Sequence, residues 1–195
     1  MIRTDFLFKH IKEGKILDVG NLDLKGHIHE ELLRRFPKSE IHGIDIDDQK
    51  LHGKSYPNQV MANAEEMPYE SNTFDTVYMG EVLEHTWVPF QLVTECLRVL
   101  KPGGIFILDT PNVYALSRML RYAIVGRDVI LGMPDHKIFF SRAMLENLYN
   151  KAGFEIVEIT TDSKSTVKRI TLSLPRFGSF AYMGEHLLGA ARKPL

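Results

Sequence analysis

A single cysteine, Cys96, occurs in 195 residues. That excludes an intramolecular disulfide framework and a zinc cluster built on thiolates. No apolar run approaches the roughly eighteen residues that a membrane-spanning helix needs. The first residues, Met1 to Phe8, are broken by Lys9-His10 too soon to make the apolar core of a secretory signal. A soluble, cytoplasmic protein is the expectation. A dominant charge is missing as well: 24 Lys and Arg meet 25 Asp and Glu, net −1, which argues against a globally basic nucleic-acid coat or an acidic disordered tail. There is no internal repeat and no low-complexity stretch. What is present is 44% hydrophobic and 10% aromatic, enough to build a core, in a length suited to one domain over residues 1–195.

The first two-thirds of the chain alternates strand and helix patterns. Lys15 to Gly20 is a short apolar run closed by glycine, as in a buried parallel strand. His27 to Phe36 places Ile28, Leu32, Leu33 and Phe36 on one helical face, and Pro37 ends it. Glu40–Asp45, Gln59–Asn63, Phe74–Met79 and Ile105–Leu108 read as further strands. Pro89 to Leu100 is a helix expected to bury Phe90, Val93, Leu97 and Leu100, and Pro102-Gly103-Gly104 reads as a turn. Beyond Asn112 the pattern changes to an amphipathic helix over 113–125, a helix over 141–152 with a Ser cap and a Gly153 stop, and a strand over 154–160. A seventh strand falls somewhere in 179–192, and 163–177 is the stretch with least pattern. Such alternation implies right-handed crossovers and a doubly wound, mostly parallel α/β sheet.

In that architecture ligands bind beyond the carboxyl ends of the strands. Those ends carry Gly20, then Asp45 twenty-five residues on, then Asn63-Ala64-Glu65, Gly80-Glu81 and Asp109-Thr110. A glycine admits a ligand to the backbone, an acid accepts from ribose hydroxyls, and Asn63 with the Ala64 amide can meet an adenine edge. The spacing points to a nucleoside ligand.

Seven segments in this order, Ile16-Leu17-Asp18-Val19-Gly20, His42-Gly43-Ile44-Asp45, Asn63 to Tyr69, Phe74-Asp75-Thr76-Val77, Glu81-Val82-Leu83-Glu84-His85, Arg98 to Gly104 and Thr110-Pro111-Asn112, resemble the class I S-adenosylmethionine-dependent methyltransferases. The resemblance is to their type 11 branch, which includes quinone-biosynthesis and surface-glycan-pathway enzymes. The segments His136 to Ser141 and Ala152 to Glu155 are similar to that branch too. The resemblance implies a seven-stranded sheet with its last strand antiparallel and inserted beside the sixth. It implies S-adenosyl-L-methionine as cofactor and S-adenosylhomocysteine as product. Asp18, Gly20 and Asn21 would meet the methionine end, Asp45 and Ile46 the ribose side, Asn63, Ala64 and Glu65 the adenine. Met79, Gly80 and Glu81 would line the cleft near the sulfonium. The glycine loop departs from the family: Leu22 and Leu24 occupy the second and third glycine places of Gly20-Asn21-Leu22-Asp23-Leu24-Lys25-Gly26, where a Cβ crowds a backbone approach.

Transfer to oxygen needs a dry, aligned cleft and a base near neutral pH. His85, His136 and Asp109 are the candidates. Their blander roles are a histidine anchoring a turn, a histidine holding a loop, and a cap for the next turn. Glu81 and Glu84 read as solvated helix-start carboxylates, Glu81 being the better functional candidate. His27 and His29, two apart, do not share a helix face, so no metal site is expected. No Asn/Asp-Pro-Pro-Tyr/Phe motif follows the fourth strand and no basic arm is present, which favours a small-molecule acceptor over nucleic acid. The near-zero net charge hides an asymmetry. Residues 1–112, the cofactor half, hold 12 basic and 18 acidic residues; residues 113–195, the acceptor half, hold 12 and 7. Arg118, Arg121, Arg127, Lys137 and Arg142 in the second half suggest an anionic acceptor. A non-catalytic partner protein of the same fold and a nucleic-acid methyltransferase are the alternatives, and a homodimer stays open.

Overall fold

In the computed structural model the chain is described over residues 2–22, 27–126, 135–162, 164–167, 170–173 and 182–195. Strand β1 (Lys15–Val19) is the centre of the sheet. Four of its five residues are buried, because β2 (Glu40–Asp45) and β4 (Phe74–Gly80) pair with it in parallel on either side. β3 (Gln59–Met61) extends one edge, and β5 (Leu100–Pro111) extends the other. β9 (His186–Arg192) then runs antiparallel between β5 and β6 (Glu155–Thr161). The order is β3-β2-β1-β4-β5-β9-β6, the seven-stranded mixed sheet expected, with the last strand inserted beside the sixth. A separate hairpin, β7 (Lys164–Val167) and β8 (Ile170–Ser173), occupies part of the stretch that carried least pattern.

Two helical layers cover the sheet, and alternation along the strands decides which residue meets which layer. On one face α1 (Arg3–His10) and α2 (His27–Arg35) pack. Phe6 and Leu7 join Tyr78, Ile107 and Leu188, and Leu32 joins Ile16 and Ile41. On the other face α3 (Pro89–Val99) and α5 (Arg142–Ala152) cover Leu17, Val77, Met79, Phe106 and Leu108. Each fully buried Leu, Ile or Phe contributes about 1.5–3 kcal/mol of transfer free energy. Cys96 is buried in this second cluster. α4 (Leu116–Val125) buries none of its residues.

Several expectations are corrected. α1 was not foreseen: its eight residues bury only Phe6 and Leu7, too little to stand out as a period. Phe90 is half exposed and Leu97 half-buried, while Val93 and Leu100 are buried as expected; α3 also buries Leu92, Cys96 and Val99, so the buried stripe is centred one step around the helix. The segment Pro102-Gly103-Gly104 is not a free turn. The pairing of β4 and β5 shifts register between Phe74 and Thr76, Gly103 takes φ +72°, and its N–H donates to Lys193 O at 2.9 Å. The ladder therefore runs through it. Ser141 caps α5 through Met144 N–H and Gly153 closes it with φ 94°, as expected. Among the described residues no helix is long and apolar enough to cross a membrane.

Candidate active site

Sheet order reverses between β1 and β4, and the expected ligand-binding ends of β1, β2 and β4 gather there. At the end of β1, Gly20 has φ +72°, and a Cβ placed on it would collide with Val82. The bare backbone at this turn is thus required twice over. Asp18 is buried and held by His29 of α2, Nδ1 to Oδ2 3.0 Å. Asn21 is buried and exchanges amide hydrogen bonds with Gln59. Leu22, also buried, donates its backbone N–H to Asp45 Oδ2 at 3.0 Å. Asp45 accepts a second backbone N–H, from Asp47, on Oδ1. A carboxylate so oriented keeps lone pairs for hydroxyl donors. Ile46 beside it is 73% exposed, an apolar side chain left open at a strand end. Asn63 Oδ1 accepts from Glu65 N–H, and Glu65 accepts from the Thr86 hydroxyl. Ala64 is half-buried. Leu24 lies outside the described residues.

The end of β4 is charged and strained. Met79 is fully buried, so its side chain belongs to the core and cannot itself line the cleft. Gly80 faces Tyr78 so closely that a Cβ would strike its hydroxyl, and it would crowd Asp109. Glu81 sits at φ +53°, a conformation that a non-glycine residue holds only where its surroundings impose it. Its carboxylate pairs with Arg3 at 3.1 Å and His186 Nε2 at 3.0 Å. Arg3 also meets Asp109 Oδ1 at 2.9 Å, while Tyr78 donates to Asp109 Oδ2 at 2.7 Å. Burial pushes the Asp109 carboxyl up against the pull of Arg3 and Tyr78. Its partners account for Asp109 as the anchor of this network, and neither a base nor a turn cap is what its contacts describe. Arg3 and His186 were not among the sequence candidates. Each is brought in by an element, α1 or β9, whose place in the sheet only the fold reveals.

Beyond this network Glu84, His85 and His136 converge. Glu84 is not a solvated helix-start carboxylate: it is 1% exposed, accepts from the Thr110 hydroxyl at 2.9 Å, and burial pushes its carboxyl up to about 7. Its backbone carbonyl accepts from Lys137 and Ile138 N–H, which stitches the 135–138 segment to the turn after β4. His85 Nδ1 lies 3.0 Å from Asp135 O. The His85 and His136 rings meet edge to face at 4.8 Å. Burial and the neighbouring His85 pull His136 below the usual histidine range, which favours its neutral form, the form with a free lone pair. The two histidines singled out in the sequence are thus neighbours, and Glu84 is the residue that sequence reasoning passed over. Its signal was the Glu84-His85 pair, read for the wrong carboxylate.

Residues 17–108 match the family model described as a methyltransferase domain. Over those residues the chain carries a methyltransferase domain. A Mycolicibacterium smegmatis protein named "Probable S-adenosylmethionine-dependent methyltransferase" is 36% identical over 58% of this chain and 43% of its own length. The ubiquinone biosynthesis O-methyltransferase of Thiobacillus denitrificans is 32% identical over 75% of this chain and 66% of its own. The chain therefore spans about two fifths to two thirds of the curated relatives it matches first. A solved S-adenosylmethionine-dependent methyltransferase from Archaeoglobus fulgidus superposes at TM-score 0.70 with 17% identity, covering 97% of this chain and 90% of its own. That likeness is one of fold. The methyltransferase domain built on this fold uses S-adenosyl-L-methionine, and the strand ends of this chain fit it. Gly20 leaves backbone bare, Asp45 is aimed by two amides, and Ile46 lies uncovered.

Proposed function

We propose that this chain transfers a methyl group from S-adenosyl-L-methionine to an oxygen of a small-molecule acceptor. The observation that carries the reading is the set at the strand ends: Gly20 in the left-handed region with no room for a Cβ, and Asp45 held by two backbone amides beside an exposed Ile46. The cofactor, when bound, supplies an electrophilic methyl on a sulfonium. Asp18, Gly20 and Asn21 would hold its methionine end, Asp45 and Ile46 its ribose side, and Asn63, Ala64 and Glu65 its adenine, with Gly80 and Glu81 at the cleft. The neutral His136, edge to face with His85, offers an acceptor hydroxyl a proton acceptor. The name of the Thiobacillus relative supports oxygen as the nucleophile.

Two features support a finer reading, a glycan-related or lipid-linked acceptor. An apolar groove of about 670 Å³ is lined by Phe90, Ile138, Phe140, Met144 and Leu148, and Ile138 stands two residues from His136, a place suited to an apolar tail. The anionic part of the reading rests on fewer cations than the sequence suggested. Arg118 is spent on the carbonyls of Asn112 and Glu185, and Arg142 on Glu146 and the Tyr182 ring. Arg121 and Lys137 remain exposed, and Arg127 lies outside the described residues.

Calorimetry with S-adenosylhomocysteine tests the core of the proposal. Micromolar binding is expected, weakened in Asp45→Ala by about 1.5–3 kcal/mol, the range for a hydrogen bond to a charged group. A folded chain that gives no heat at millimolar ligand would overturn it and leave a non-catalytic partner of the same fold.

A further inference from the structure

The geometry points to a divalent metal site formed by Glu84, His85 and His136 at the acceptor side of the cleft. One ligand atom from each residue lies within 4.8 Å of the others. A tetrahedral metal with bonds of about 2.0–2.1 Å spaces its ligands about 3.3 Å apart, so the widest spacing of the set would have to close by about 1.5 Å on ligation. Sequence reasoning had no access to it, because His136 lies fifty-one residues beyond His85 and the expectation was that no metal is held.

Four observations favour ligation over a packing contact. Glu84 Oε1 and His136 Nδ1 are buried and have no hydrogen-bond partner among the described residues, although buried polar atoms are almost always partnered. Both belong to the cluster, so one ion would satisfy both at once. His85 Nδ1 faces the Asp135 carbonyl at 3.0 Å. A carbonyl only accepts, so Nδ1 carries the proton and Nε2 keeps the lone pair a metal needs. Glu84 Oε2 accepts from Thr110, which fixes the carboxylate and leaves Oε1 to the cluster. Metal sites use outer contacts of this kind, a carbonyl behind a histidine and a donor behind a carboxylate, to aim their ligands. Finally, the backbone of Glu84 holds the 135–138 segment at Lys137 and Ile138 N–H, so His136 is placed by the same turn that places the other two ligands.

Two imidazoles and one carboxylate suit zinc, manganese, iron(II) or cobalt(II) better than magnesium or calcium, which favour all-oxygen shells. Three protein ligands leave coordination positions open, as in catalytic rather than structural sites. Those positions would take water or an oxygen of the acceptor. This last assignment rests on the methyl-transfer reading, and the ion-binding inference does not. With the ion in place the imidazoles act as ligands, and the ion takes over the task of acidifying the bound oxygen.

The test uses the untagged chain stripped with a chelator and dialysed. Titration with Zn²⁺ or Mn²⁺ by calorimetry is expected to show one ion per chain, and Co²⁺ to give visible absorption bands of a bound, low-coordinate ion. Both signals should weaken at least tenfold in His85→Ala and in His136→Ala. His85 is exposed, so its removal spares the core and keeps the test informative if His136→Ala misfolds. No ion bound by the folded chain, or binding in either folded variant as tight as in the parent, would overturn the site. S-adenosylhomocysteine binding measured on the same stripped sample separates the two claims. Cofactor binding without ion binding defeats the metal site alone, and ion binding without cofactor binding defeats the methyl-transfer reading alone.

Discussion

Single residues at the first strand end explain both what the sequence disclosed and what it concealed. Gly20 and Asp45 were legible because their chemistry is local: a glycine that ends a strand and an acid at the next strand's end. Leu22 reads in the sequence as an obstruction, a side chain where the family keeps glycine. In the structure its backbone N–H holds Asp45, so that place in the loop aims the acid. A hydrogen bond from a backbone atom leaves no trace in residue identity, which is why the sequence could not show it. Gly20 itself permits a sharp prediction. In Gly20→Ala the left-handed φ costs about 1–2 kcal/mol, and the new methyl meets Val82. The expected destabilisation is about 2–4 kcal/mol in urea unfolding. Adding Val82→Ala should recover the steric part and leave the backbone strain, so the double variant should fall short of the sum of the single losses.

At the scale of elements, legibility followed the range of the interactions. Helix α5 was readable at both ends because its cap and its stop lie within the helix's own sequence, at Ser141 and Gly153. β5 was not, because its ladder through Gly103 depends on Lys193, ninety residues away. Lys193 also shows how the inserted strand secures its neighbour. Its Nζ donates to the carbonyls of Leu97 and Leu100 at 2.9 and 2.8 Å and to Asn72 Oδ1 at 2.8 Å. The last carbonyls of a helix have no partner within it, and a cation there also opposes the negative end of the helix dipole. Lys193→Met keeps the length of the side chain and removes the donors. A loss of about 1–3 kcal/mol is expected, read as a lower urea midpoint with unchanged slope. A variant as stable as the parent would mean that water replaces the ammonium at the end of α3.

Across the whole molecule, five elements meet through one network of charge. Arg3 of α1 reaches Glu81 at the end of β4 and Asp109 of β5. His186, the first residue of β9, lies 3.0 Å from Glu81 and 3.2 Å from Asp162, just past β6. The order of the sheet was legible from the resemblance, but this network was not, since its members are scattered from residue 3 to residue 186. It makes stability depend on pH. Burial alone would lower the pKa of His186, yet its hydrogen bonds to Asp162 and Glu81 outweigh burial and push it up to about 9. A histidine whose folded pKa exceeds its unfolded value of about 6.5 binds more protons in the native state. Its contribution is therefore complete below about pH 6.5 and disappears as the pH rises through about 9, and it amounts to at most about 3 kcal/mol. Glu84 acts in a different window. Burial raises its carboxyl to about 7, so keeping it folded costs stability as the pH rises from about 4.5 to 7, and the two effects separate along the pH axis. Urea unfolding from pH 6.5 to 9.5 should show the alkaline loss in the parent chain. In His186→Gln, which keeps a polar group but has no proton to lose, the alkaline limb should flatten. A limb of equal slope in that variant would assign the loss to another group and leave the His186 bridge without a measurable part in holding β9 to the end of β4.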